Sequence, residues 1–199
     1  MMTKLDNSFF TRPDVLAIAR DLIGKILVTQ INGAYASGRI VETEAYNGVV
    51  DRASHAYMGR RTSRTEVMYQ EGGIAYVYLC YGMHHLFNVV TNAEDIPHAV
   101  LIRAIEPMEG IGFMLQRMKK ERLDFTVGRG PGNLSKAMGI TTAYTGITLE
   151  KEISIWTDNR DEGEILASPR IGVDYAGEDA VLPYRFFISG NRFVSGRKR

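Results

Sequence analysis

The fold is decided by the stretch Arg39-Ile40-Val41-Glu42-Thr43-Glu44-Ala45-Tyr46. Its composition predicts a β-strand, in which alternate side chains face opposite sides, so Glu42, Glu44 and Tyr46 share one face. Carboxylates are almost never fully buried without a partner, and this face is therefore a candidate site. Spacing alone does not choose between Glu42 and Glu44 as the functional residue.

A second run, Ile74 to Tyr81, predicts a tyrosine-rich strand. Gly82 is expected to turn the chain into a further strand at Leu86 to Val90. Tyr81 and Met83 would then lie at the tip of a hairpin, where neither side chain has a core to enter. An exposed aromatic residue and a methionine at a loop tip form a candidate wedge.

The segment Asn47 to Glu71, between these strands, is polar and has no clear period. A loop of this length in a compact domain is usually functional or mobile. It contains His55, Arg60, Arg61 and Arg64. The cluster of arginines indicates either a phosphate-facing surface or an ordinary solvated face.

The flanking segments predict helices packed on an antiparallel sheet. We expect a helix capped by Thr11 and ended by Gly24, because Thr and Gly favour these two positions. Asn32-Gly33 is a hairpin signal before the strand expected at Arg39 to Tyr46. Apolar residues at helical spacing predict another helix from Pro107 to Arg122. The fold class is therefore α+β, with a mostly antiparallel sheet flanked by helices.

A strand expected at Ala99 to Ile105 carries a lone Arg103 among apolar residues. An arginine inside a strand needs a partner, and Glu44 is the obvious carboxylate. Further along, Gly128 to Ala137 is a glycine-rich turn feeding a short helix, whose backbone N–H groups could hold a phosphate.

The chain has 199 residues, of which 45% are hydrophobic and 24% charged. This composition is typical of one globular domain, which we expect to span residues 1–199. The formal net charge of +1 does not indicate a nucleic-acid partner, but local basic clusters such as Arg197-Lys198-Arg199 could contact phosphates.

No apolar run approaches the roughly 18 residues that a membrane span needs, and the N-terminus lacks the apolar core of a secretion signal. We therefore expect an intracellular protein, cytoplasmic or nucleoid-associated, with no membrane partner. The single cysteine, Cys80, excludes an intramolecular disulfide and a multi-cysteine zinc site. Adjacent His84 and His85 point oppositely on a strand, so no metal or other cofactor is expected.

Taken together, these motifs resemble the alkyladenine (3-methyladenine) DNA glycosylase family. The likeness covers nearly the whole chain in the same order. It rests on Gly38 to Tyr46, His55, Thr62, Arg64, Met68, Tyr76 to Met83, Asn88, Leu101 to Pro107, Gly130-Pro131-Gly132 and Arg185 to Asn191.

The resemblance implies a curved sheet and a reaction on duplex DNA. Family members flip alkylated or deaminated purines, such as 3-methyladenine, hypoxanthine and ethenoadenine, into a pocket and hydrolyse the N-glycosidic bond. The resemblance implies that Glu44 and Arg103 are catalytic, with the carbonyl of Val194 as a water ligand, and that the base pocket is formed by Tyr46, His55, Tyr78 and Asn88. It implies that Tyr81 and Met83 intercalate into the DNA. The DNA backbone would be contacted by Arg60, Thr62, Arg64, Gly130 and Gly132.

Two sequence features refine this hypothesis. No lysine lies between Arg39 and Thr91, so the amine nucleophile of strand-cutting glycosylases is missing and a monofunctional enzyme is expected. Asn133 stands where the family usually has lysine, which removes one phosphate-binding charge. The expected partner is double-stranded DNA containing damaged purines, bound by a monomer. The alternatives are a non-catalytic nucleic-acid-binding protein and a hydrolase of free nucleosides.

Overall fold

The computed structural model describes residues 2–196 and shows an α+β fold, as expected. Within these residues nine strands form one sheet in which every pairing is antiparallel. The strands are β1 (Thr3–Lys4), β2 (Ile26–Ile31), β3 (Ala34–Tyr46), β4 (Ile74–Cys80), β5 (His84–Thr91), β6 (His98–Glu109), β7 (Ile153–Thr157), β8 (Ile165–Ser168) and β9 (Arg185–Ile188).

The long strand β3 is the centre of the sheet. The strand order is β1-β7-β2-β3-β6-β5-β4, and β9, which carries β8, also pairs with β3. On one side β3 pairs with β6 along its length, whereas on the other side it pairs first with β2 and then with β9. The sheet curls around this strand into a half-barrel, which confirms the expected curvature.

Short helices cover one face of the sheet and enclose the core. The helices are α1 (Asn7–Phe10), α2 (Val15–Asp21), α3 (Ile111–Met118) and α4 (Pro131–Met138). Single 3₁₀ turns lie at Gly48–Val50, Tyr57–Gly59, Glu66–Tyr69, Phe125–Val127 and Thr142–Tyr144, and a longer one lies at Asp174–Val181. Fully buried residues from helices and strands meet between the two layers, among them Ile18, Ile40, Phe87, Ile102, Met114 and Leu134.

Two expectations about the helices were wrong in their boundaries. Asp14, not Thr11, caps α2, because its carboxylate accepts hydrogen bonds from the first turn, whereas Thr11 ends the preceding short helix α1. The helix expected from Pro107 begins only after Gly110, since β6 stays paired with β3 through Glu109. Pairing with a long neighbouring strand overrides local helix propensity here.

The pairing of β3 with β6 is interrupted between Ile40 and Thr43. The register shifts between Ile40 and Glu42 and again between Glu42 and Thr43, which leaves one extra residue on each strand, Val41 on β3 and Arg103 on β6. Such β-bulges bend a strand and re-aim its side chains, and they are frequent beside active sites. The second bulge turns Arg103 toward the face that carries both glutamates.

The hairpin between β4 and β5 has the expected exposed tip. Tyr81 and Gly82 turn the chain with φ values of +49° and +69°, the left-handed conformation that tight hairpin turns need. Tyr81 is 90% exposed and Met83 is 71% exposed. No helix within residues 2–196 is long and apolar enough to cross a bilayer.

Gly128, at the start of the glycine-rich turn, is packed against the backbone of β6. A Cβ atom at this position would lie 2.0 Å from the carbonyl oxygen of Ile105. We expect Gly128→Ala to lower the free energy of unfolding by about 1–3 kcal/mol, because the strand cannot yield without losing its pairing. Urea denaturation measures this change.

The matched control is Gly112→Ala in α3, where a Cβ atom meets nothing within 4 Å. This substitution is expected to be neutral or to stabilise the protein by about 0.5 kcal/mol, because alanine loses less backbone entropy in a helix. Equal stabilities of the two variants would contradict the close packing of Gly128.

Candidate active site

Glu44 lies near the carboxyl-terminal end of β3 and is completely buried. Its Oε1 atom accepts a hydrogen bond from the backbone N–H of Ile171 at 2.8 Å and lies 3.2 Å from Nη1 of Arg103. The ion pair expected between Arg103 and Glu44 is therefore present. The other oxygen, Oε2, accepts a hydrogen bond from the hydroxyl of Tyr46 at 2.9 Å. A carboxylate oxygen accepts more than one hydrogen bond, so Oε2 retains capacity for a water molecule.

Glu42 is equally buried but more fully bonded. Oε1 accepts hydrogen bonds from Nε of Arg103 at 3.0 Å, from Nε of Arg185 at 2.6 Å and from Oγ of Ser195 at 3.0 Å. Oε2 accepts one from the backbone N–H of Ser195 at 2.6 Å. The two glutamates that spacing could not separate therefore differ in their partners. Glu42 is held by two arginines and Ser195, whereas Glu44 is bound to Tyr46 of the pocket wall.

Arg103 lies between the two carboxylates. Burial alone would lower the pKa of this guanidinium, but the charges of Glu44 and Glu42 outweigh that effect and raise its pKa. Arg103 therefore remains a cation inside the sheet. A buried charge persists only when it is paired and hydrogen-bonded, and both conditions are met here.

A small pocket opens on the same face of the sheet. Glu44 pairs with Leu101, Leu101 with Asn88 and Asn88 with Tyr76, so these side chains form a row across four strands. The pocket has a volume of about 30 Å³, which is enough to hold a water molecule. It is lined by Tyr46, Ala53, His55, Met68, Tyr76, Tyr78, Asn88, Ala99 and Tyr175.

Aromatic rings form one wall of this pocket. The rings of His55 and Tyr78 meet edge to face with centroids 4.7 Å apart, and Tyr76 lies 5.6 Å from Tyr78. The hydroxyl of Tyr76 lies 2.8 Å from Nδ1 of His55. These contacts join the long loop to β4 and place an aromatic surface where a flat ring could stack.

His55 is neutral at physiological pH. Burial, together with the charges of Arg64 and Arg60, lowers the pKa of His55 from 6.5 to about 4. Nη2 of Arg64 lies 3.3 Å from Nε2 of His55. Since arginine only donates hydrogen bonds, Nε2 is the acceptor and the proton is on Nδ1, which donates to the hydroxyl of Tyr76.

Tyr46 is supported from behind by a buried ion pair. The guanidinium of Arg170 lies 4.8 Å from the centre of the Tyr46 ring and binds both carboxylate oxygens of Asp51. It also donates to the carbonyl of Ala45 at 2.9 Å. Burial and the charge of Glu44 raise the pKa of Tyr46 well above 10, so its hydroxyl stays protonated and donates a hydrogen bond to Glu44.

The amide of Asn88 has a defined orientation. Its Nδ2 donates to the carbonyl of Tyr76 at 3.1 Å and to that of Leu86 at 3.2 Å. Because both partners are acceptors, the NH₂ group must face them, and Oδ1 faces away from both carbonyls. The side chain is therefore a rigid part of the pocket wall.

The hairpin tip and the glycine-rich turn lie side by side. A Cβ atom on Gly132 would come within 2.9 Å of the His84 ring, and Gly130, with φ of +88°, precedes α4 as its N-cap. Nδ1 of His85 accepts a hydrogen bond from the backbone N–H of Thr142 at 3.2 Å. The two histidines thus dock the hairpin against its neighbours. In the described part of the chain, no group of three or more His, Cys, Asp or Glu side chains could hold a metal ion.

The basic residues of the long loop have different surroundings. Arg60, Thr62 and Arg64 are exposed, and the guanidinium of Arg64 lies over the Tyr78 ring at 4.9 Å, at the rim of the pocket. Arg61 instead forms ion pairs with Glu66 and Asp95. The basic tail 197–199, expected as a phosphate contact, lies outside the described residues.

Sequence reasoning missed several groups at the site. Tyr76 was not among the expected pocket residues, but it lines the pocket and its hydroxyl binds His55. Its position two residues before Tyr78, on the same strand face, was the available signal. Arg170, Arg185 and Ser195 have no comparable signal, because they reach the site from the far end of the chain.

A carboxylate and an arginine buried beside an aromatic pocket suit hydrolysis of a bond to a flat heterocycle. Residues 8–192 match the family described as methylpurine-DNA glycosylase (MPG). The chain belongs to this family and is a DNA glycosylase, a hydrolase of base excision repair. The resemblance identified from the motifs is confirmed.

Individual relatives support the same assignment over their full length. A protein of Clostridium novyi (strain NT), named "Putative 3-methyladenine DNA glycosylase", is 44% identical over 201 residues, which cover 98% of this chain and 99% of the relative. Proteins with the same name from Chlamydia abortus and Chlamydia felis are 47% and 46% identical, covering 92% and 93% of this chain and 97% and 96% of the relatives.

The low pKa of His55 makes folding stability depend on pH. The folded-state pKa of about 4 lies below the ordinary histidine value of 6.5, so the unfolded chain binds the proton first as the pH falls. We expect the contribution of His55, up to about 3 kcal/mol, to be present above pH 6.5 and lost as the pH falls through 4. Urea denaturation of wild type and His55→Gln from pH 7 to pH 4 measures it.

His98 has a pKa lowered by burial as well, so the difference between the two proteins isolates His55. The variant should lose less stability than wild type over this range. Identical pH dependence, or an NMR titration that places His55 near pH 6.5, would show that this side chain is not held neutral.

Proposed function

We propose that the protein flips alkylated and deaminated purines, among them 3-methyladenine, hypoxanthine and ethenoadenine, out of duplex DNA and hydrolyses their N-glycosidic bond. The observation that carries this proposal is the position of Glu44. It is buried beside Arg103, it keeps acceptor capacity on Oε2, and it is hydrogen-bonded to the pocket wall through Tyr46. Glu44 and Arg103 are the proposed catalytic residues.

The reaction needs one water molecule and no metal ion. The oxygen of the water forms a bond to C1′, and Glu44 accepts the proton that this water loses. The bond from C1′ to the base nitrogen breaks, and its electron pair leaves with the base. The sugar acquires positive charge during this step, which a neighbouring carboxylate stabilises. Arg103 helps to hold the water and the adjacent phosphate, with the carbonyl of Val194 as a further water ligand.

The pocket accepts a base by stacking and excludes guanine by shape. Tyr46, His55 and Tyr78 offer aromatic faces, and a cationic alkylpurine gains cation–π attraction from them. A neutral His55 adds no charge that would repel such a base. The fixed amide of Asn88 leaves no room for the 2-amino group of guanine. A neutral base such as hypoxanthine takes its proton from water, because His55 is unprotonated at pH 7.

Insertion of a base requires the rim of the pocket to move. The pocket is narrow, with a volume of about 30 Å³, and the exposed Arg64 covers the ring of Tyr78. A base that stacks on this ring displaces the guanidinium outward, where it binds a backbone phosphate. Arg60, Thr62 and the N–H groups at Gly130 and Gly132 extend the same phosphate contact.

The exposed hairpin tip favours duplex DNA over a free nucleoside as substrate. Tyr81 and Met83 fill the gap that the flipped nucleotide leaves, a role that hydrolysis of a nucleoside would not require. No lysine lines the pocket, which supports base release without strand cleavage. The proposed enzyme acts as a monomer and as one domain spanning residues 1–199.

Removal of the catalytic carboxylate tests the mechanism. We expect Glu44→Gln to bind a lesion-containing duplex like wild type and to excise its base about 10²–10⁴-fold more slowly, the range typical of a lost general base. Single-turnover excision is measured on duplexes with one hypoxanthine, one 1,N6-ethenoadenine or no lesion, and released-base analysis of methylated DNA adds 3-methyladenine. Excision retained by the variant would remove Glu44 from the mechanism.

Removal of the wedge tests the substrate. We expect Tyr81→Ala to weaken binding to the lesion duplex about tenfold, because one aromatic stacking contact is lost. Tyr35→Ala is the matched control, since Tyr35 is a partly exposed tyrosine at the start of β3. Thermal melting checks that both variants fold. Unchanged binding by the Tyr81 variant would favour the free nucleoside as substrate.

A further inference from the structure

We propose that Glu42 is a positioning residue, which fixes Arg103 and the segment around Ser195 relative to Glu44. The proposal rests on the glycosylase mechanism above and adds to it a residue that does not contact the substrate. Glu42 is 0% exposed and lies two positions before Glu44 on β3. Its carboxylate accepts four hydrogen bonds, all from Arg103, Arg185 and Ser195, and none of these residues lines the pocket.

The guanidinium of Arg103 is shared by three partners. Nε of Arg103 donates to Glu42 at 3.0 Å, Nη1 pairs with Glu44 at 3.2 Å, and Nη2 donates to Oγ of Ser195 at 3.1 Å. A planar guanidinium held at three nitrogens cannot rotate without breaking a contact. The orientation of Arg103 toward Glu44 therefore depends on the contact with Glu42.

Glu42 also holds the carboxyl-terminal segment around Ser195. The backbone N–H of Ser195 donates to Glu42 at 2.6 Å, and its carbonyl accepts from Nη2 of Arg185 at 2.7 Å. Arg185 in turn donates to Glu42 through Nε at 2.6 Å. Both backbone groups of Ser195 are thus tied, directly or through Arg185, to one carboxylate. Val194, the proposed water ligand, precedes Ser195 in the chain and is positioned with it.

The contacts of Glu42 require a charged acceptor. In Glu42→Gln the side chain keeps its size, but one oxygen becomes an NH₂ group. All four partners of Glu42 donate hydrogen bonds to it, so this NH₂ group must face a donor in either amide orientation. The substitution therefore loosens Arg103 or Ser195 without opening a cavity.

The experiment compares Glu42→Gln with wild type in single-turnover excision and in binding to the same lesion duplex. We expect the excision rate constant to fall about 100-fold, the size of effect that a misplacement of about 1 Å produces in reacting groups. The dissociation constant should change less than about threefold, because Glu42 itself is fully buried and Arg103 makes only one of the several proposed phosphate contacts. Amide hydrogen exchange at Ser195 should become faster.

Two further variants keep the test decisive. Ser195→Ala removes the hydroxyl that bonds both Glu42 and Arg103 without changing a buried charge, and it should slow excision about tenfold, the size of effect expected from two lost hydrogen bonds. Asp158→Asn weakens the ion pair with Arg39 elsewhere on β3 and should lower the melting temperature without slowing excision.

The outcomes separate the two proposals. If wild type releases no base from any lesion duplex, the glycosylase mechanism fails. If wild type is active, a wild-type rate in Glu42→Gln overturns the positioning role. Two other results also overturn it. If Glu42→Gln loses DNA binding as much as rate, the effect belongs to binding. If Asp158→Asn loses as much rate as Glu42→Gln, the effect belongs to general instability.

Discussion

The rest of the site depends on one buried arrangement of charges in the middle of the sheet. Arg103 and Arg185 supply two cations, Glu42 and Glu44 supply two anions, and all four side chains are buried. Withdrawing such groups from water costs several kcal/mol per ion, which is recovered only when every charge has a close, hydrogen-bonded partner. This constraint fixes where β6 bulges, where β9 joins β3 and where the carboxyl-terminal segment docks.

A second buried pair allows the pocket itself to stay uncharged. Arg170 and Asp51 neutralise each other behind Tyr46, and burial keeps His55 without its proton. The walls that face a bound base are therefore aromatic or neutral, while the charges lie beneath them. Such a site separates two tasks, because selection of the base depends on stacking and shape, whereas hydrolysis of its bond depends on the ionised groups below.

Local patterns predicted the parts of the fold that depend on neighbouring residues. The alternation in β3 and β4, the turn at Gly82 and the glycine-rich start of α4 are all short-range features, and the structure has them. The helix boundary after Pro107 was wrong because a partner strand about seventy residues earlier, β3, holds that segment extended. A local signal carries no information about such a partner.

The sequence by itself determined that Glu42, Glu44 and Tyr46 share a strand face, that Tyr81 projects from a hairpin tip, and which family the motifs resemble. Only the tertiary structure decided how the two glutamates differ. The donors that occupy Glu42 come from Arg103, Arg185 and Ser195, which folding alone brings together. Hydrogen-bond capacity is a property of the assembled site, so equivalent positions in a strand acquire different chemistry only after the chain has folded.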